Sequence, residues 1–517
     1  MPRTILVLMA FTLAACGTPE GFREIGLEEL RDRIEGGWAG QMIGVSYGAP
    51  TEFRYQGRII AEDELPAWSD ERLRNAIHQD DLYVEMTFAR VLDEKGLDAT
   101  TQDFGAMFRE SRYALWHANL GARRALRRGV PAEESGTPRH NAHANDIDFQ
   151  IEADFIGLMC PGQPVSANEL CWRVGRVMNY GDGIYGGMFV SGMYAAAFFE
   201  SDVRKVVEAG WAALPPESPY ARLIRDVLDW SAERPSEWQR VWRMIEDKWN
   251  RRDPCPAGAL TPFNIDAKLN GAYIALGLLY GGGDFERTLQ VATRAGQDSD
   301  CNPSNAAGVL GVMTGYRRIP ERWKSGIEAV ADQKFDYTDY SFREIVESTF
   351  RRALAMTERN GGRQDGDHLL VKIQQPEPAR LEIWDDYGEP VERIGVNDPR
   401  WTWKGSWTPP RRASRPPEVR ESAKAGDSGE VAFEGTGAIL VGPYLPDGGK
   451  VEVYLNGALE ATVDVASDEE HEKGDESVWH RFGLTPGRHE LRVVVLGEPG
   501  PGASGSRVVI KDLVVFR

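Results

Sequence analysis

The chain has 517 residues, room for two to four domains at roughly 100–200 residues each. Hydrophobic residues at 42 % and charged residues at 27 % are ordinary globular values, which excludes a disordered, collagen-like or polytopic membrane chain. Lysine and arginine total 60 against 79 acids, a formal charge of −19 that repels nucleic acid and anionic lipid but not metal ions, sugars or small cations.

The first segment carries Arg3 and an apolar run from Ile5 to Leu13, too short to cross a bilayer, followed by the small residues that precede a signal cleavage site. Leu13-Ala14-Ala15-Cys16, with Gly17 behind it, resembles a bacterial lipobox. That resemblance implies a signal peptide over residues 1–16 and a mature protein that begins at a lipidated Cys16. A plain secretory peptide with an incidental cysteine is the alternative. The expected location is the bacterial cell envelope, on its periplasmic or extracellular face, with contact to the membrane through the lipid alone. Cys160, Cys171, Cys255 and Cys301 remain, and their spacing does not say which of them pair.

From residue 25 to residue 360 the pattern is helical. Val203, Val206, Val207, Trp211 and Leu214 form one stripe, which Pro215-Pro216 stops, and Ile224, Val227 and Leu228 form another. Tyr185 to Phe199 is apolar all round, as suits the centre of a bundle, with Asp182 or Gly183 to cap its start. Beyond Asn360 a polar, glycine-rich stretch leads into short runs of β-formers. Val451 to Leu455 alternates, Asn456-Gly457 is a hairpin turn, and Ala458 to Val465 is the return strand. His489 to Leu496 and Arg507 to Phe516 read as further strands. The predicted fold is an all-α domain over residues 25–360 followed by an all-β sandwich over residues 369–517.

The chemistry concentrates in acidic clusters. The first is Gly48-Ala49-Pro50-Thr51-Glu52-Phe53, the second His78-Gln79-Asp80-Asp81, the third Gly296-Gln297-Asp298-Ser299-Asp300-Cys301-Asn302. Paired aspartates repel one another and are costly to bury unless a cation sits between them. Oxygen donors with little histidine nearby favour Mg²⁺, Mn²⁺ or Ca²⁺ over zinc. A single pair such as Asp80-Asp81 reads equally well as a solvated helix start.

In this order, with Asn179 to Gly183 before the central helix and Tyr316, Ile319-Pro320 and Trp323 closing the region, the motifs resemble the ADP-ribosylglycohydrolase family over residues 27–352. The resemblance implies an all-helical hydrolase with two divalent cations, Mg²⁺ first among them. It places Glu52, Asp80, Asp81, Asp298, Asp300 and Cys301 at the metals, with Glu52 and Asp81 in catalytic roles. The chain departs from the family where Gln79 and Leu82 replace threonines, Cys301 replaces a threonine, and Gln41 replaces an aspartate.

A fourth cluster runs from Asn145 to Asp154, with acids or amides at Asp146, Asp148, Gln150, Glu152 and Asp154. As a strand edge it is a charged solvent face. As a functional loop it offers acceptors for sugar hydroxyls, and Asn145, Asp146, Asp148 and Asp182 become substrate-binding candidates. Its acids would repel a pyrophosphate. Trp38, Tyr180 and Tyr185 could stack on a sugar, though such aromatics are more often core, and His140 and His143 lie in a loop that could bind metal. Export and an accessory sandwich suggest a glycan or glycoside substrate, a pentofuranoside among the candidates. True ADP-ribosyl hydrolysis and an inactive sugar-binding lipoprotein are the alternatives.

Overall fold

The computed structural model describes residues 19–250, 253–408 and 419–517. The proposed signal and its Cys16 lie outside them. The helical region is organised by α1 (Leu27–Gly48), α2 (Asp80–Lys95), α3 (His117–Arg127), α4 (Asp182–Ala197) and α5 (Cys301–Thr314). As the all-round apolar pattern requires, α4 is buried on nearly every face.

The pairing of α1 with α5 sets up everything that follows. Gly36, Gly40, Gly44 and Gly48 recur every fourth residue, so they share one face of α1. A Cβ on each would fall within 2.3 Å of the carbonyl oxygens of Gly311, Ala307, Pro303 and Ser299 in turn. The two helices therefore run antiparallel at backbone contact, and the end of α1 delivers the Thr51-Glu52 turn directly onto the start of α5. Trp38, on another face of α1, is fully buried and its Nε1 donates to Thr349 Oγ1 at 3.1 Å. It is a core residue.

A small antiparallel sheet closes the helical domain. Strand His368–Lys372 pairs with Phe22–Gly26 on one side and Arg363–Asp365 on the other, so the first strand past the helices belongs with them. The segment after it runs back along the helices, where Tyr185 Oη donates to Arg380 O at 3.0 Å and Tyr387 Oη to Ala142 O at 3.2 Å. Tyr180 packs edge-on to Trp384.

The β-region is a sandwich of two antiparallel sheets. Five strands, with Ala458–Asp464, Gly449–Leu455 and Gly487–Pro499 consecutive at one side, face four strands that include Gly437–Tyr444, Lys473–Arg481 and Asp512–Phe516. The hairpin turn is at Asn456-Gly457, with φ of 51° and 83°, the left-handed pair that a two-residue loop needs. The last predicted strand is two strands, Val508–Ile510 and Asp512–Phe516, in different sheets.

The two domains are joined through α3. Arg123 reaches Glu469 at 2.9 Å, while Arg124 and Arg127 each reach Asp468 at 2.8 Å. Arg124 also lies 3.8 Å over the ring of Tyr444. The four described cysteines other than Cys16 are buried free thiols.

Candidate metal centre

The three acidic motifs meet where α1, α2 and α5 converge. Asp80 and Asp81 open α2, and Asp300 is the residue before α5, so each pair sits at a helix start where unpaired amides favour negative charge. Thr51 Oγ1 lies 2.8 Å from Ser299 Oγ and donates to Gly48 O at 2.7 Å, locking the first motif to the third. Phe53 N donates to Gln297 O and Gln297 N to Tyr55 O, both at 3.0 Å. Cys301 Sγ lies 3.1 Å from Asp81 Oδ1, which ties the third motif to the second. Asp298, Asp300 and Cys301 bring a donor atom each within 4.8 Å of one another.

The electrostatics of this arrangement are unfavourable as they stand. Burial, then Asp300, then Glu52 and Asp81 push the Asp298 carboxyl well above its ordinary range. Burial and Asp80 do the same to Asp81. Asp300 rises to about 7 through burial and Asp81. Glu52 stands at the mouth with part of its surface in solvent, and burial of the remainder with Asp300 and Asp80 beside it raises its carboxyl to about 9. Among the described residues no lysine or arginine forms an ion pair with any of the five. Asp81 Oδ2 and Asp298 Oδ1 are buried without a hydrogen-bond partner. A pocket of buried carboxylate oxygens with orphaned lone pairs fits hard divalent cations. Cys301 fits less well as a ligand, because burial and the surrounding aspartates hold its thiol protonated, as a donor to Asp81.

The fourth cluster is neither a strand nor a solvent face. It forms two short helical pieces, Asp148–Ile151 and Asp154–Leu158, and Asp146, Gln150, Glu152 and Asp154 are fully buried. The alternation that suggested an extended edge is broken by backbone pairing of Asp146 with Asp266 and by local turns. Asp148 accepts from Ala118 N at 3.1 Å and Asn119 N at 2.9 Å, so its carboxylate is engaged by the start of α3. Glu152 bonds Asn119, and Asp154 accepts from Asn305 at 2.7 Å. Asn145 is half-buried and its carbonyl accepts from Ala267 N. Asp182 accepts from Tyr220 N at 3.3 Å and faces Lys268, at the opening of α4 and apart from the five carboxylates. Asp146 differs from these. His143 Nδ1 lies 2.7 Å from its Oδ2, His117 Nδ1 lies 3.6 Å away, and its Oδ1 has no partner. His140, by contrast, is half-exposed beside Glu134, and the exposed His78 bonds Asp336.

The family model for ADP-ribosylglycohydrolase matches residues 27–360, about two thirds of the chain. This chain belongs to the ADP-ribosylglycohydrolase family. An ADP-ribosylglycohydrolase-related protein complex resembles it at 16 % identity and a TM-score of 0.38, covering 64 % of this chain and 99 % of the other. A two-domain esterase active on acetylated mannans matches at 12 % identity and a TM-score of 0.22, over 38 % of this chain and 54 % of that one. A Paenibacillus xanthan lyase matches at 10 % and 0.20, over 29 % and 15 %. None of the curated proteins matches. As an ADP-ribosylglycohydrolase family member the chain is a hydrolase whose clustered acids can hold metal.

Two of the positions at which the chain departs from the ADP-ribosylglycohydrolase motifs lie in the core. Leu82 is fully buried in the core. Gln41 lies against Gly308 in the contact of α1 with α5, and neither amide atom has a partner. Sequence reasoning missed several residues around the centre. Glu85, one turn along α2 from Asp81, is fully buried with Oε1 unpartnered. The rings of Phe53, His117 and Phe263 lie 5.0–6.4 Å apart at the mouth. Phe53, His117 and Gln297, around the first and third motifs, have φ of 49°, 46° and 54°, a region that non-glycine residues avoid. An Asp-Asp pair announces itself in sequence, whereas a strained aromatic does not.

Proposed function

We propose that this protein is an exported, metal-dependent glycosidase that cleaves a glycoside of a furanose or related sugar. The observation that carries the reading is the meeting of Glu52, Asp80, Asp81, Asp298 and Asp300 with no cation paired to them among the described residues. Folding alone gains nothing from such a cluster. Asp80, Asp81, Asp298 and Asp300, with Glu52 at the edge, would hold two divalent ions, Mg²⁺ by the hardness of the donors. When bound, such ions polarise sugar hydroxyls and acidify water.

Hydrolysis of a glycosidic bond also needs an acid and a base at either side of the bond. Glu52 is the carboxyl at the mouth that can exchange protons with solvent, and we assign it the proton transfer at the attacking water. Asp81 is held in register by the Cys301 thiol. Asp146 is fully buried with His143 fixing its orientation, and it would act on substrate through His117, 3.6 Å away. The acids along this wall disfavour a pyrophosphate, which sets ADP-ribosyl substrates second. Cys16 would carry the lipid that keeps the enzyme at the envelope. No described helix is long and apolar enough to cross a membrane.

A release assay over furanosides, pyranosides and an ADP-ribosylated peptide, each with Mg²⁺, Mn²⁺ or Ca²⁺, tests the reading. Turnover of a glycoside that vanishes in Asp81→Asn and Asp300→Asn is the expected result. Full activity in those variants, or turnover of the peptide alone, overturns it.

A further inference from the structure

One strand of the sandwich enters the helical domain. Lys473–Arg481 pairs with Gly437–Tyr444, but its register shifts between Lys473 and Glu476 and again between Ser477 and Trp479. Asp475, inside the first irregularity, has φ of 54°. A β-bulge puts two residues opposite one and re-aims side chains. Here it turns Lys473 and Glu476 toward α3, and both are buried.

Lys473 Nζ lies 3.8 Å over the ring of Trp116 and 2.8 Å from Glu469 Oε2. The other oxygen of Glu469 accepts from Leu115 N at 2.8 Å and from Arg123 at 2.9 Å. His117, the residue after Trp116, packs edge-on to Phe53 with ring centres 6.4 Å apart, and Phe53 follows Glu52, so this corner adjoins the carboxylate cluster. Glu476 Oε2 lies 3.3 Å from His143 Nε2, and His143 in turn holds Asp146. The sandwich therefore supports both the residue before His117 and, through His143, the buried Asp146.

Trp116 is nonetheless 44 % exposed. Its neighbour His117 is one of the strained residues, and Tyr337, 63 % exposed and also strained, packs edge-on to Tyr83 and tilted against Tyr113. A large indole held by a buried ammonium, with much of its surface in water, is a stacking platform. The lysine beneath it is neutralised by Glu469, which suits an uncharged ring.

We propose that Trp116, held by Lys473 from the bulged strand, forms a subsite shared by the two domains for a neutral sugar ring adjoining the one that is cleaved. The substrate is then a saccharide chain rather than a single glycoside. This rests on the glycosidase reading and extends it. The sandwich on this view is part of the active site, and a separate glycan tether is not required.

Calorimetric titration of the full-length, Mg²⁺-supplied protein tests the subsite. The probes are arabinotriose, xylotriose, mannotriose and galactotriose, each beside its monosaccharide, with the Asp298→Asn protein used where a probe is turned over. At least one trisaccharide should bind tenfold or more tighter than its monosaccharide. Trp116→Ala and Lys473→Met should remove that advantage and leave the monosaccharide affinity unchanged, while Trp116→Phe keeps most of it. A trisaccharide advantage that survives in Trp116→Ala and Lys473→Met, or no trisaccharide advantage with any probe, overturns the subsite. Loss of the advantage in a protein that turns over no glycoside in the release assay above upholds the subsite and sinks the glycosidase reading.

Discussion

Gly48→Ala is the substitution that most directly couples the fold to the metal centre. A Cβ at position 48 would sit 2.0 Å from Ser299 O and 2.4 Å from Asp300 Cα, where ordinary contacts begin at 3.4 Å. The backbones of α1 and α5 must therefore separate by about 1.4 Å at this point, since neither obstacle is a side chain that can rotate away. Overpacking of this kind costs about 1–3 kcal/mol. For the roughly 330 residues of the helical domain, unfolding entropy near 2.1 cal/mol/K per residue gives about 0.7 kcal/mol/K, so melting should fall by roughly 1–4 °C. The effect on the site should be larger, because a displacement of about 1 Å between positioned groups costs about 10²-fold in rate. Gly26→Ala, at the other end of the same helix, is the control. Its φ is −63° and no atom lies within 4 Å of a Cβ there. Thermal melting by circular dichroism, Mg²⁺ titration by calorimetry and hydrolysis rates would be measured for both. If Gly48→Ala melts, binds Mg²⁺ and turns over like Gly26→Ala, the argument that this glycine contact sets the spacing of Glu52 and Asp300 is wrong.

Other outcomes follow from the same geometry. At 100 times its dissociation constant Mg²⁺ should stabilise the protein by about 2.7 kcal/mol, roughly 4 °C on the scale above, and Asp300→Asn should lose that gain in a melting assay. Cys301→Thr keeps a donor to Asp81 and supplies the family's hydroxyl, so Mg²⁺ should bind it at least as tightly as the native protein by calorimetry. Burial raises the folded-state carboxyls of Asp148 and Asp154 to about 7 from 3.8. Between roughly pH 4 and 7 the native state thus binds more protons than the unfolded chain, so these groups stabilise at acid pH and that share is lost as pH rises through 7. Denaturant melts of chelator-treated protein should give a lower midpoint at pH 8 than at pH 5, and Asp148→Asn should flatten the difference. Glu476→Gln leaves His143 with Asp146 alone, and should cost about 1–3 kcal/mol, read as a lower urea midpoint. Cys16→Ser should free the protein from the membrane fraction, and retention there would refute lipid anchoring.

The helical domain could be read from its periodicity, and the five carboxylates from their types and order, because a cluster of acids at helix starts is costly without a cation. The hairpin at Asn456-Gly457 was legible for a local reason, since few residue pairs adopt two left-handed conformations in succession. The fourth cluster was harder. Its acids alternate as in a strand, yet Asp148 is engaged by the amides of α3 and Asp154 by Asn305, partners 29 and 151 residues away. Sequence spacing carries no record of such partners.

What the sequence by itself determined is the domain order, the family and the grouping of acids that can hold metal, all of which depend on residue kind and short-range pattern. Tertiary structure alone decided which acids point into the cleft and which are caps, because that depends on contacts between distant segments. It also decided that Lys473 and Glu476 of the sandwich stand beside α3. A bulge in one strand turns them there, and a bulge is a matter of register between neighbours, which exists only once the strands have paired.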